Sequence, residues 1–409
     1  MIERLVDVFA GKIGVDPAEV RRRNFIPKFD NGHEVVTTLS YDSGNYPAAL
    51  EKTLDHVGYD NLRAEQAKAR ESGRYMGIGL SSYVEICGLG PSQVAGAIGF
   101  QGGLWESAIV RFHPTGKVHV FIGSSPHGQG EETTFAQIVA HEIGVDPNDV
   151  KVFHGDTDTT PMGWGTYGSR TTAVGGAALA LTVRKIRDKA KVISAHLLEA
   201  AVEDMEYADG KFFVKGSPDK SKTIQDVALM AHVAWDMPEG VEAGLEASTF
   251  YDPPNFVFPY GAHVAVVEVE PETGEIDLTR YVALDDCGPQ INPTIVEGQV
   301  HGGVVQGIGQ ALWEEAVYDE NAQLVSGSML DYALPRADLL PDIEVLSTVT
   351  PSPHQPLGVK GIGEAGTIAS TVAVYNAVMD ALKPLGVKQV DMPFTPERIW
   401  RAVQEAKGS

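Results

Sequence analysis

At 409 residues, with 43% hydrophobic and 21% charged residues, the chain can bury a large core in two or more lobes and is too apolar to be disordered. A formal net charge of −23 excludes nucleic acid as a partner, because phosphate binding needs basic patches; an anionic ligand would depend on backbone N–H groups and a few local cations. No apolar run reaches about 18 residues and no signal peptide opens the chain, so it reads as cytoplasmic with no membrane span; Cys87 and Cys287 are too few for a disulfide framework or an iron–sulfur cluster.

Residues 2–13 have the pattern of an amphipathic helix that starts at Met1 without a capping signal and stops at Gly14. Asp16-Pro17-Ala18-Glu19 then reads as an N-cap, a first-turn proline and a capping-box glutamate, and near-identical wording recurs at Gly144-Val-Asp-Pro-Asn-Asp-Val150. Residues 27–75 are polar and turn-rich, with one helix predicted from Pro47, and read as a linker to the main body. Strand character begins at Gly77. Trp105–Phe112 and Lys117–Gly123 alternate around His113-Pro-Thr-Gly as a hairpin, and Val264–Val269 pairs with Ile276–Leu284 around Pro271-Glu-Thr-Gly. Helices are predicted from Glu131, with Phe135, Ile138, Val139 and Ile143 on one face, and after Arg170, with Val183, Ile186, Ala190, Ile193 and Leu197. Further helices fall at 295–313, near 369–382, and from Pro396.

The 44 glycines exceed the roughly 7% average, and many cluster where a loop enters a helix: 127–130, 165–169, 287–293 and 358–366. Such junctions offer free N–H groups and the positive end of a helix dipole, so four of them point to a large anionic ligand held by backbone. Gln129, Ser169, Asn292 and Lys360 add side-chain hydrogen bonds, whereas Glu131 and Glu132 at a helix start would repel a phosphate. Gly361-Ile-Gly-Glu-Ala-Gly366 spells a dinucleotide fingerprint, but its nearest strand-like run, 343–350, is separated from it by three prolines. His127 with Glu131, and His141 with Glu142, lack the second half of a metal site. Asp285 and Asp286 read as strand-end turn residues. Glu364, set among glycines ahead of a helix, can stand close to a bound group and act as a base if water is excluded.

His127-Gly-Gln-Gly-Glu-Glu-Thr-Thr-Phe-Ala-Gln137, Gly165-Thr-Tyr-Gly-Ser-Arg170, Asp285-Asp-Cys-Gly288, Ile291-Asn-Pro293, Glu297-Gly-Gln-Val-His-Gly-Gly303 and Thr350-Pro-Ser-Pro-His-Gln-Pro-Leu-Gly-Val-Lys-Gly-Ile-Gly-Glu364 carry a resemblance in order along the chain. It is to the molybdenum hydroxylase large subunits of the xanthine dehydrogenase and aldehyde oxidase superfamily, nearest the aerobic carbon monoxide dehydrogenase type. The resemblance implies an elongated molybdopterin-binding domain of two α+β lobes. It implies a molybdopterin cofactor, in the cytosine dinucleotide form, carrying molybdenum without a direct protein ligand. Gly128, Gln129, Gly130, Gly168 and Ser169 would line it; Cys287, Asn292 and Gln299 would contact the pterin or its nucleotide tail; Lys360 and Gly361 would approach the metal side. Glu364 matches the family's active-site glutamate, the proton acceptor in oxidative hydroxylation with water as oxygen source.

Only the C-terminal half of such a subunit is matched. The expected division is 1–26 as the tail of a first cofactor domain, 27–76 as linker with a helix, 77–260 as one lobe of the second cofactor domain and 261–409 as the other. The expected partners are the N-terminal half, a 2Fe–2S subunit and an FAD subunit in a dimer of heteromers, with an aldehyde or N-heterocycle as substrate. The family's copper-ligating cysteine belongs to the unmatched half, so carbon monoxide stands as an alternative substrate. A rival expectation is a non-catalytic fragment that acts only in assembly and whose N-terminal remnant dangles.

Overall fold

The computed structural model describes residues 1–37 and 39–408. The chain opens with helices α1 (Ile2–Ile13), α2 (Pro17–Asn24), α3 (Tyr46–Val57) and α4 (Tyr59–Glu71) and strand β1 (Tyr75–Val84). There follow β2 (Glu106–Phe112), β3 (Val118–Ile122), α5 (Glu131–Ile143), β4 (Val150–Phe153), α6 (Ala177–Leu197) and β5 (Glu246–Tyr251). The last part holds β6 (Tyr260–Val269), β7 (Ile276–Asp286), α7 (Pro293–Leu312), β8 (Ile343–Ser347), α8 (Ala365–Leu382) and α9 (Pro396–Gly408).

Two four-stranded sheets organise these elements, in the orders β5-β2-β3-β4 and β8-β7-β6-β1. Both hairpins read from the sequence form as expected: β2 pairs antiparallel with β3, and β6 with β7 through a bulge at Val266 and Val267. β4 and β8 each add a parallel strand. In the first lobe, the sheet packs against α5 and α6 through Val110, Val120, Phe135, Ile138, Val183 and Ile186. In the second, the sheet is covered on both faces. Ala265, Val267 and Tyr281 meet α7, α8 and α9, while Val264, Val266 and Ile78 meet α3 and α4. Double burial explains why β6 reads as a nearly continuous apolar run. α8 lies hard on β1: a Cβ at Gly79 would come within 2.0 Å of the Ala373 carbonyl oxygen.

Several local readings change. β1, expected with the first lobe, pairs with β6 along its whole length and belongs to the second sheet, because its Ile78 and Leu80 complete that sheet's core. Where the sequence suggests one helix from Pro47, two form, broken at Gly58 in the left-handed region. Leu50, Leu54, Leu62 and Ala69 bury them on the sheet, so this segment is packed structure and not a polar linker. Asp16 caps α2 through the Ala18 N–H as expected, but Glu19 makes no box and pairs with Arg23 instead. The matching wording at Asp146 caps only a single tight turn ahead of β4. The N-terminal helices are docked: buried Arg21 bonds Glu3, Asp7 and the Leu80 carbonyl, and Glu3 accepts the Ser82 N–H.

Candidate functional site

Four junctions of loop and helix converge on one cavity of about 470 Å³. The loop after β3 leads into α5, and residues 165–170 lead into a wide helical turn (Thr171–Gly176) that continues as α6. The loop after β7 leads into α7, and residues 358–364 lead into α8. The first two come from one lobe and the last two from the other. Each brings the positive end of a helix to the same space, and the volume lies within the usual range for ligand pockets.

Buried side chains fix the first two loops. Glu131, 5% exposed, accepts from Ser124 Oγ (3.1 Å), Gln129 Nε2 (2.6 Å) and Thr166 Oγ1 (3.0 Å) and pairs with His154 Nδ1 (2.9 Å). It therefore does not face a ligand as a bare charge; it ties 124–130 to 165–170. Exposed Glu132 lies 3.5 Å from His154. Arg170, 1% exposed, spends all five donors: on the carbonyls of Leu89, Leu104, Trp105 and Gly165 and on Glu106 Oε2. A buried ion pair is tolerated when its hydrogen bonds are this complete.

The other two loops are held from below. Asp286 is fully buried and accepts from Gly288 N, Thr350 N, Thr350 Oγ1 and Tyr260 Oη, joining the 287–288 turn to the 350 segment. Asp285 accepts from Tyr83 Oη (2.5 Å) and pairs with His263 (3.1 Å). These two aspartates are interior anchors, more than the turn residues the sequence suggested. Burial pushes the Cys287 thiol up to about 12 and the Cys87 thiol well above its usual range, so both are neutral thiols near neutral pH.

Of the residues anticipated from sequence, Gly128, Gln129, Ser169, Cys287, Asn292, Gln299, Lys360, Gly361 and Glu364 line the cavity. Gly130 caps α5 in the left-handed region, and a Cβ there would strike Ile295 at 2.7 Å. Gly168 reaches the site through its N–H, which donates to Glu364 Oε1 at 2.9 Å. Ser169 Oγ accepts the Glu364 N–H at 3.1 Å, and the Ser169 carbonyl accepts the Cys87 thiol. Glu364 itself is exposed at the cavity wall, the N-cap of α8. Asn292 caps α7 through Ile295 N and bonds Gln137 on α5. The Gln129 amide is spent within its own loop and on Glu131.

Lys360 departs from expectation. Only its backbone faces the cavity: Nζ is buried on the carbonyls of Ser43 (2.9 Å) and Phe258 (3.1 Å), 3.5 Å from Asp42. Burial lowers its pKa and Asp42 opposes that. With Lys360 and Arg170 both committed elsewhere, an anion in the cavity falls to backbone N–H groups, helix ends and lining polar side chains such as His127, Asn292 and Gln299. That donor set fits a cofactor whose pterin edge and phosphates ask for many directed donors. Among the described residues no group of His, Cys, Asp and Glu is arranged to hold a metal. The 361–366 glycines enter α8 far from the end of β8 at Ser347, so the dinucleotide fingerprint lacks its strand. Sequence reasoning missed Glu131 and Arg170 as organisers; their positions inside two of the recurring loops were the available signal.

Comparison with known proteins places this geometry in a family. Residues 52–341 match the molybdopterin cofactor-binding domain, and the chain belongs to that family. It is 44% identical over 408 residues to the carbon monoxide dehydrogenase large chain of Hydrogenophaga pseudoflava, covering 99% of this chain and 50% of the relative. It is 37% identical to the nicotine 6-hydroxylase large subunit of Paenarthrobacter nicotinovorans, over 98% of this chain and 49% of that subunit. The solved structure of reconstituted CO dehydrogenase from Oligotropha carboxidovorans superposes with a TM-score of 0.94 at 42% identity, covering 99% of this chain and 51% of that one. The mixed helix-and-sheet fold expected from the sequence is the one observed. The chain spans about half the length of the curated relatives it matches.

Proposed function

We propose that this chain is the cofactor-binding, C-terminal part of a molybdenum hydroxylase large subunit, with Glu364 as the base. The observation that carries the reading is the meeting of four helix-start loops on one cavity with a carboxylate at its wall. The molybdopterin cofactor, in the cytosine dinucleotide form, supplies the redox chemistry when bound. The N–H groups of 127–130, 165–169 and 287–292 that are not already donated within the protein, as those of His127, Gly168 and Gly288 are, hold its pterin and phosphates, and Asn292 and Gln299 on α7 orient its tail. Gly168 N–H fixes Oε1 of Glu364, which leaves Oε2 to accept a proton. Residues 1–26 correspond to the end of a preceding cofactor domain.

Two relatives with different printed activities bear on the substrate class. The likeness to nicotine 6-hydroxylase supports an N-heterocycle, within the N-heterocycle or aldehyde class; the likeness to CO dehydrogenase supports carbon monoxide. We keep the first class as the reading and carbon monoxide as its alternative; the buried Cys87 and Cys287 do not decide between them, because a copper-ligating cysteine would belong to the other half. An N-terminal half completes the site, and 2Fe–2S and FAD subunits carry the electrons away.

The test is molybdenum and pterin analysis of the chain alone and of the chain co-purified with a complementing N-terminal half. Turnover of the complex is then measured on aldehydes, N-heterocycles and carbon monoxide. Little pterin alone and stoichiometric pterin with turnover in the complex is the expected result. Stoichiometric cofactor in the lone chain overturns the half-site reading; a loaded complex without turnover points to an assembly role.

A further inference from the structure

Glu85 follows β1 and lies beneath the loops that carry Ser169 and Glu364. Its backbone N–H donates to the Pro259 carbonyl at 2.9 Å. Its side chain is buried, 5% exposed, yet neither carboxylate oxygen has a hydrogen-bond partner. A buried carboxylate without donors is costly, so such a group calls for a partner.

The groups around it are few. They are the Ser169 hydroxyl, Glu364 from the turn before α8, Asp285 at the end of β7, Tyr83 on β1 and Cys87 just beyond. Tyr83 gives its hydrogen to Asp285, and Cys87 gives its own to the Ser169 carbonyl. Lys360 is turned to Asp42 and the Ser43 carbonyl. The Ser169 oxygen accepts the Glu364 N–H and leaves its own hydrogen uncommitted. A hydroxyl hydrogen rotates to suit its acceptor.

We propose that Glu85, unpartnered as the structure stands, is a positioning residue of this site: when ionised its carboxylate draws the Ser169 hydroxyl hydrogen, and the Ser169 oxygen in turn holds the Glu364 backbone N–H. The significance of this link rests on Glu364 being the base. Ser169 sits at φ 51, a left-handed conformation unfavourable for serine, and its hydroxyl oxygen meets the Glu364 N–H. A chain of hydrogen bonds polarises each member, so an anionic end strengthens the hold on Glu364.

The link is sensitive to pH. Burial is the main cause that raises the Glu85 carboxyl from 4.5 to about 7; the Ser169 hydroxyl pulls it back, and Glu364 and Asp285 push it further up. Above that value the carboxylate accepts from Ser169. Below it the neutral carboxyl draws the hydroxyl hydrogen less strongly, and the hold on Glu364 relaxes.

Amide ¹H–¹⁵N spectra of the full-length chain across about pH 5.5 to 9 test this without cofactor or turnover. The Glu364 and Ser169 amide resonances should shift together with a midpoint near pH 7, in the wild type and equally in Glu364→Gln, which lacks the other carboxyl. Glu85→Gln, nearly isosteric and unable to titrate, should lose the step at both positions. Ser169→Ala should lose it at Glu364, and it carries the test should Glu85→Gln fail to fold. A step that survives in Glu85→Gln or at Glu364 in Ser169→Ala, or a Glu364 amide indifferent to pH between about 6 and 8 in the wild type, overturns the proposal. That failure would leave the turnover test of Glu364 untouched.

Discussion

Gly168 and Glu364 lie 196 residues apart in sequence and are joined by one hydrogen bond, from the Gly168 N–H to Oε1, at 2.9 Å. With the return bond from the Glu364 N–H to Ser169 Oγ, it ties a loop of the first lobe to the start of α8 in the second. The carboxylate is thus held at one oxygen by backbone and is free at the other, an arrangement suited to a base that must not move.

Glu364→Gln keeps the Gly168 hydrogen bond, because the amide oxygen still accepts, but removes the proton acceptor. Molybdenum content of the assembled enzyme should be unchanged while turnover falls at least about a hundredfold, the low end for loss of a general base. Metal analysis alongside steady-state kinetics decides it; near-normal turnover would sink the assignment.

Glu85 should also leave a mark on stability. Its folded-state pKa of about 7 lies above the ordinary 4.5, so the folded chain binds more protons in that window and loses stability as pH rises through it. Glu85→Gln removes a group that is destabilising when ionised. The variant should match wild type near pH 4 and exceed it near pH 8 by up to about 3 kcal/mol. Denaturant midpoints at the two pH values give the comparison. A variant less stable than wild type at pH 8 contradicts the sign.

Arg170→Met should be among the most damaging single changes in the first lobe. It leaves Glu106 buried with its charge unanswered and strands the carbonyls of Leu89, Leu104, Trp105 and Gly165. Breaking such a pair from one side costs about 3–5 kcal/mol. Replacing both partners, Arg170→Met with Glu106→Leu, should recover part of that loss. Thermal unfolding of the single and double variants separates the charge from the packing.

The features legible in the sequence were those with a local cause. The two hairpins follow from period-two alternation around His-Pro-Thr-Gly and Pro-Glu-Thr-Gly turns, and the four ligand loops from glycines at helix starts. What escaped notice depends on direction. A helix-start glutamate gives no sign whether it points outward, as Glu132 does, or inward to four partners, as Glu131 does. Lys360 shares its segment with Glu364, yet its amine is claimed by the distant 42–43 segment. α4 was hidden because its buried stripe, Leu62, Gln66 and Ala69, is thin and partly polar; Gln66 is used on Met76 and Asp380.

Gly361→Ala tests the packing that presents the base. An added Cβ would lie 2.2 Å from Cys87 Sγ and 2.2 Å from the Ser169 carbonyl oxygen, far inside contact distance. Cys87 is fully buried and cannot swing away, and the carbonyl belongs to backbone already strained at φ 51. Relief must therefore displace Ser169, and with it the hold on Glu364 and the floor of the cavity. Overpacking of this kind costs about 1–3 kcal/mol, which a chain of this size survives. The expected outcome is a folded protein whose complex retains little pterin and loses turnover together with it. Cys87→Ala in the same chain removes the sulfur but not the carbonyl, so it should restore neither. Full cofactor content and normal turnover in Gly361→Ala would mean that the 358–364 loop adjusts freely and that its contact with Ser169 does not set the geometry of the site.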